Sequence, residues 1–544
     1  MHFIFLSMTT TKTSRRGAAL AVLCLAAFTI NLDTTIVNVT LPSLVRELGA
    51  TTSDLQWVVA AYLLTFASLV LAGGSLGDRF GRKGALLSGL AVFGTASAVG
   101  GLVDTPTALV AVRAVMGVGA ALIFPATLSI ISNLYTERDE RARAIGIWGA
   151  MTGLGVAVGP MAGGWLLEQF WWGSVFVAMA PVAAVGVLAG ARFVPTSRDP
   201  ATPPLDLGGL LLSTLTMGTL VFTIIEAPDR GWTAPATIGG FAAAAIGAMV
   251  FVTWERRRAH PMLDISLFRD LRFTAASGSI TTAFFALAGF TFLITQYFQF
   301  LKGYSPFSTG LRVLPVAIAI VVGSITGVQL SVRIGNKVIV AAGLTMVGIG
   351  FAWVSTASVA TSYLEIVGQM IVIGLGMGFT TAPATEAIMG VVSKEKAGVG
   401  SAVNDATREL GATLGVAVIG SIYASLYASG VDAAPRSLPR SVVHHASDSI
   451  GAALAVSHQL GPAGDSLLHA ARSAFFDGFQ VGCLVAAGVL FIGAAFVARF
   501  LPARPTPPLE LAELAELEHH LGLEPVTTTR NDEHDSGLVH QSND

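Results

Sequence analysis

The sequence predicts an all-α polytopic membrane protein with 14 transmembrane helices, arranged as two pseudo-symmetric six-helix bundles plus two inserted helices. Three observations lead there. The 544-residue chain is 53% hydrophobic and only 12% charged, where a soluble domain carries about 25% charged residues. Apolar stretches of about 20 residues recur along it, each long enough for a bilayer core about 30 Å thick. Short sequences also recur at a nearly constant offset. Together these exclude a soluble enzyme, a disordered chain and a collagen-like one. Cys24 and Cys483 both sit inside apolar runs, so neither a disulfide framework nor a zinc site is expected. No G-x-x-x-x-G-K-[ST] stretch occurs, which argues against an ATP-driven pump.

Taken in order, the apolar runs place helices near 18–40, 55–76, 84–103, 107–131, 144–167, 173–193, 207–226, 235–254, 272–297, 307–329, 336–356, 361–386, 399–427 and 476–499. Residues 1–17 then form a cytoplasmic N-terminus and 18–193 the first bundle. Residues 194–271 are the inserted two-helix linker with its flanking loops. The second bundle is 272–500, with a long outer loop at 428–475, and 501–544 form an acidic cytoplasmic tail. With the N-terminus inside, 23 Lys and Arg residues fall in inner segments. Six fall in outer ones: Arg46, Arg230, Lys302, Arg436, Arg440 and Arg472. That bias obeys the positive-inside rule and puts both termini in the cytoplasm. Ser14-Arg15-Arg16 reads as the inner flank of the first helix rather than an export signal. The tail holds nine acidic residues against two basic ones, with Leu514, Leu517 and Leu521 at the spacing of one helix face.

The repeat supports two like halves. Leu154-Gly155-Val156-Ala157-Val158 returns as Leu414-Gly415-Val416-Ala417-Val418, Gly117-x-Gly119 as Gly374-x-Gly376, and Gly81-Arg82-Lys83 as Gly335-Asn336-Lys337, at offsets of 260, 257 and 254. Like halves around a midplane site are the logic of alternating-access carriers.

The residues with chemistry lie in and beside these spans. Asp33 stands about two-thirds along a first helix that has no basic residue, so its charge is costly there and the group suits reversible proton binding. Arg113, in the fourth span, has to face a cavity or a carboxylate for the same reason. Gly74, Gly77, Asp78, Arg79, Gly81, Arg82 and Lys83 form a tight charged turn after the second span. Gly155, Gly159, Pro160, Gly163 and Gly164 make a small-residue stripe with a bend in the fifth. In the thirteenth span, Asp405 and Glu409 share a helix face with Arg408 between them, which suits either a structural ion-pair cluster or a second proton site.

These stretches together resemble the fourteen-span drug:proton antiporter branch of the major facilitator superfamily. Further matches are Gln56-Trp57 with Tyr62, Glu226-x-Pro228-x-x-Gly231-Trp232, Pro261-x-Leu263-Asp264-x-x-Leu267-Phe268, and Gly303-Tyr304-Ser305-Pro306 leading to Gly310-Leu311 and Pro315. The resemblance spans roughly residues 18–500, and the outer loop and tail lie outside it. It implies proton-driven export of lipophilic drugs or antibiotics. It assigns coupling to Asp33 and Arg113, and a latch on the outward-facing state to the 74–83 turn. It makes the fifth-span glycines the mark of an antiporter rather than a symporter. Gln56, Trp57, Tyr62, Phe124, Trp148, Phe292, Tyr297 and Phe379 are the candidates for a substrate cavity, where aromatic faces attract lipophilic cations.

Partners expected are a small lipophilic substrate, cationic in some cases, protons and the lipid bilayer. No cofactor, metal or nucleic acid is expected, and the chain is expected to act as a monomer. The Ala/Gly/Val/Leu bias points to a bacterial inner membrane. A nutrient or osmolyte symporter and a lipid flippase are the rivals on the same fold. A membrane enzyme would need His, Cys or paired acids clustered on neighbouring spans, and a sensor would need the acidic tail.

Overall fold

The computed structural model describes residues 2–198, 205–391, 397–432 and 439–502. The acidic tail from residue 503 onward lies outside the described residues. Fourteen helices among those described are long and apolar enough to cross a bilayer. They are α1 (Arg15–Leu48), α2 (Thr52–Phe80), α3 (Arg82–Gly100), α4 (Pro106–Leu134), α5 (Asp139–Gln169), α6 (Ser174–Phe193) and α7 (Leu207–Arg230). The others are α8 (Pro235–Arg257), α9 (Leu271–Leu301), α10 (Pro306–Ile334), α11 (Asn336–Val354), α12 (Tyr363–Met389), α13 (Gly400–Asp432) and α14 (Asp465–Phe500). An even number of crossings returns the chain to the end where it began. That end carries the loops rich in Lys and Arg and is called the basic end below; the opposite one is the far end.

Local chemistry sets many boundaries. Thr51 and Asp54 form a reciprocal cap on α2, the Thr51 hydroxyl accepting from the Asp54 amide at 3.1 Å and the Asp54 carboxylate from the Thr51 amide at 2.9 Å. Ser305 and Ser362 cap α10 and α12, and Pro306 opens α10 where no amide is needed. One expectation changes in extent. The described residues of 428–475 are mostly helical: α13 runs on to Asp432, α14 starts at Asp465, and short helices Arg440–Ser447 and Ile450–Leu460 lie between. Hydropathy ends a span where polar residues such as His469 and Arg472 begin. With no Gly or Pro in Asp465–Phe476 to break it, the backbone stays helical past the apolar run.

The internal repeat is legible in atomic contacts. In the first group of helices α2 packs on α4, α1 on α5, and α3 on both α4 and α6; in the second, α10 packs on α12, α9 on α13, and α11 on both α12 and α14. Gly117 meets Tyr62 and Phe66 of α2, and Gly374 meets Val316 and Ile320 of α10. Gly119 meets Gly89 and Phe93 of α3, and Gly376 meets Gly343 and Val347 of α11. Gly155 sits on the carbonyl of Phe28, Gly415 on that of Phe285. The α2–α3 and α10–α11 junctions are each a single glycine at positive φ, Gly81 at 119° and Gly335 at 91°. No atoms crowd Gly81, so its constraint is purely conformational. Gly81→Ala is therefore expected to lower stability by about 1–3 kcal/mol in detergent melting. Gly84→Ala, in open space inside α3, is expected to be neutral or stabilising.

Among the described residues the hydrogen bonds between the two groups lie toward the far end. Gln56 Nε2 donates to the carbonyls of Val416 (3.2 Å) and Ala417 (3.0 Å) and to Ser421 Oγ (3.2 Å). Gln299 Nε2 donates to Val39 O at 2.9 Å, and the Phe307 amide to Glu168 Oε1 at 3.1 Å. The Thr52 amide reaches Asp448 O at 3.0 Å. Gly164 seats against Pro306 and Phe307, and Gly310 against Pro160 and Met161. The far end is thus closed. Cys24 of α1 and Cys483 of α14 are unpaired thiols, 4% and 3% exposed.

Candidate functional site

A carboxylate and a guanidinium meet in the middle of the first group. Asp33 Oδ2 accepts from Arg113 Nη1 at 2.6 Å, and each side chain is 1% exposed. Arg113 Nε donates to the Val58 carbonyl of α2 at 3.1 Å, and the guanidinium lies 4.3 Å from the centre of the Tyr62 ring. One arginine of α4 thereby ties α1 to α2. Asp33 Oδ1 and the Tyr62 hydroxyl are buried and take no protein partner. The pair satisfies the demand that neither charge stand alone in hydrocarbon, while leaving Asp33 an oxygen on which a proton can sit.

The fifth-span glycines hold this segment of α1. Gly155 packs on Phe28 and Leu32, Gly159 on Leu32, Thr35 and Ile36, and Gly163 on Ile36. Any side chain there would push α1, and Asp33 with it, away from α5. Gly164 faces the other way, onto α10, and the Pro160 carbonyl lies against Gly310. One stripe therefore touches both the helix of the buried carboxylate and the far-end seam.

From Tyr62 a file of rings leads toward the basic end. Tyr62 to Phe66 is 6.1 Å between centroids, Phe66 to Phe124 5.9 Å, and Phe124 to Trp148 5.2 Å. Trp148 Nε1 donates to Thr127 Oγ1 at 3.1 Å. Phe66 was not among the candidates, although its place one turn after Tyr62 puts it on the same face.

The remaining candidates divide. Arg408 Nη1 is 3.8 Å from Asp405 Oδ1, and the guanidinium lies 4.7 Å from the Phe284 ring centre of α9. Glu409 follows Asp405 by one turn on α13. Phe379 is half-buried on α12 against Gly327 of α10. Four candidates make their contacts away from the ring file. Gln56 is consumed by the α2–α13 seam. Trp57 turns to α7, donating to Glu226 Oε1 at 3.3 Å. Phe292 is fully buried, and Tyr297 donates to Ser358 O at 2.8 Å and packs on Phe476 and Phe479 of α14. A helix buried on several faces gives no sequence cue to which face is the cavity.

The charged turn bonds within itself, to α6 and to the start of the linker that follows it. Asp78 Oδ1 accepts from Arg82 Nε at 2.6 Å, the Arg82 amide donates to Ser197 O at 2.9 Å, and Lys83 Nζ donates to Ala191 O at 2.8 Å. Gly74 lies on Pro125 and Gly77 on Ala85, while Arg79 stacks near its neighbour Phe80 at 5.6 Å.

Residues 23–416 match the profile of the Major Facilitator Superfamily. The chain belongs to that superfamily. It is a multi-pass transporter of a bacterial plasma membrane and not an enzyme. This superfamily member is 35% identical over 490 residues to "Multidrug efflux pump LfrA" of Mycolicibacterium smegmatis, covering 90% of this chain and 97% of that one. It is 32% identical to "Methyl viologen resistance protein SmvA" of Salmonella typhimurium, covering 88% and 97%. Among solved structures it resembles a bacterial homologue of the human lysosomal transporter Spinster, in an inward-facing and unoccupied conformation. There the TM-score is 0.64 at 16% identity, covering 91% of this chain and 99% of that one, a likeness of fold alone.

Proposed function

We propose that this transporter exports lipophilic drugs or antibiotics by alternating access, in exchange for protons. The observation that carries the reading is the Asp33–Arg113 pair at the head of an aromatic file that leads to the basic end. The relatives' names supply the substrate class. With the basic end cytoplasmic, the closed far end fits the inward-facing half of the cycle, and Phe66 and Phe124, 2% and 5% exposed, must be uncovered for substrate to reach the file.

Protonation of Asp33 from outside cancels its attraction for Arg113 and frees the guanidinium to find other acceptors. A lipophilic cation gains from burial against Phe66, Phe124 and Trp148 and from cation–π attraction, about 0.5–2 kcal/mol per favourable ring. When the far end parts and the basic end closes, the bonds of Gln56, Gln299 and Glu168 are released. The 74–83 turn is then available to latch the other group. Asp405 and Glu409, with Arg408 between them on α13, are a second pair of acids for the cycle. The working unit is one chain, and the proton gradient replaces any cofactor.

Dye movement in energised inside-out vesicles tests the reading. Ethidium uptake that a protonophore collapses is the expected result, and uptake indifferent to the protonophore overturns proton exchange. Phe124→Ala and Trp148→Ala are each expected to raise the ethidium KM about 3–30-fold and to affect a neutral antibiotic less. Equal effects on both compounds would mean that the file serves only packing.

A further inference from the structure

Two stretches singled out in the sequence, Gln56-Trp57 and Glu226 to Trp232, meet at the far end through the inserted helix α7. Toward the first group, Trp57 Nε1 of α2 donates to Glu226 Oε1 at 3.3 Å. The Trp57 and Phe222 rings are 6.0 Å apart, and Arg230 holds Glu226 at 3.4 Å. Toward the second group, Trp232 Nε1 donates to Ser425 Oγ of α13 at 2.9 Å. Between these attachments Val221 and Ile225 are fully buried in one cluster with Ala60 of α2 and Ala417 of α13. Ala417 is also an acceptor for Gln56, so α7 lies along the seam itself. Helix α8, by contrast, packs chiefly on α7 and is only 11% buried over its apolar window.

We infer that α7 is a clasp on the closed far end, and that Trp57, Glu226, Trp232 and Ser425 are positioning residues that set how readily the seam parts. The inference rests on the alternating-access reading. Opening the seam separates α2 from α13, and α7 cannot keep both attachments while they move apart. It detaches from one side, so its two attachments act in series. Weakening either side favours the open far end. Weakening both gives less than the product of the separate effects, because only one side lets go in each opening event.

The test uses the full chain in proteoliposomes with spin labels on Asp104→Cys and Ala360→Cys, in far-end loops of the two groups. Distance distributions are compared for the parent, Trp57→Phe, Ser425→Ala and the double variant. Each single variant removes one hydrogen-bonding atom, worth about fivefold on its own side. The expected rise in the open-to-closed ratio is about threefold for each single variant and about fivefold, rather than ninefold, for the double. Ile225→Ala, which thins the wedge under both helices, is expected to move the ratio the same way.

Melting temperatures identify any variant that is simply misfolded, and a purely structural role would move them without moving the distances. Unchanged distances, or a double effect equal to the product, overturns the clasp. A parent whose distances ignore both ethidium and pH fails on alternating access itself, which is a different result.

Discussion

Asn in place of Asp33 is expected to abolish protonophore-sensitive export, a loss of at least about 100-fold. The substitution keeps the side-chain volume and removes the ionisable group. It also strands the Arg113 guanidinium, 1% exposed, without its counter-charge, and breaking one side of a buried pair costs about 3–5 kcal/mol. Part of the loss is therefore structural, and a second variant separates the two contributions. Asp33→Asn combined with Arg113→Gln removes both charges and is expected to recover the melting temperature while export stays absent. Export restored in the double variant would make Asp33 a structural counter-ion only. Asp33→Glu keeps the proton site but lengthens the side chain inside the clamp formed by Gly155, Gly159 and Gly163, so partial activity is expected.

Gly164→Val is the second large effect, and it acts on geometry rather than charge. A Cβ at Gly164 would lie 2.5 Å from both the Phe307 Cα and the Pro306 carbonyl oxygen, inside any permitted contact. The obstacle is backbone, which cannot rotate aside as a side chain would. Valine is therefore expected to wedge α5 from α10 and penalise only conformations with the far end shut. Overpacking of this kind costs about 1–3 kcal/mol, enough to cut turnover about tenfold. Export should fall and the labels at 104 and 360 should report a depleted closed population. Gly146→Val, at a position with nothing within 4 Å, is the control and should leave both readouts unchanged. A Gly164→Val protein with normal export would mean that the far end need not shut this tightly.

Some of this architecture was legible in the sequence and some was not, for physical reasons. The crossings were legible because a bilayer demands long apolar helices and basic inner loops, and each demand leaves a linear trace. Asp33 and Arg113 stood out singly because a charge in hydrocarbon is conspicuous wherever it sits. Their pairing was not legible, since residues 80 apart meet only through the packing of α1 on α4 and α5. How the aromatic candidates group was hidden for the same reason. Tyr62, Phe124 and Trp148 joined one file, whereas Phe292 and Tyr297 turned into the interior of the second group. The repeat at offsets of 254–260 was visible as letters, and its meaning appeared only when Gly117 and Gly374 were seen to touch equivalent residues of α2 and α10.

The two native thiols carry a consequence of their own. Cys24 and Cys483 are walled into separate helices, α1 and α14, at 4% and 3% exposure. A reagent that stays in water cannot reach them, and they hold no covalent tie that an oxidising or reducing medium would make or break. The fold is therefore indifferent to the redox state of either compartment it faces. A single cysteine introduced at the surface would be the first thiol a maleimide meets, with both native residues left in place.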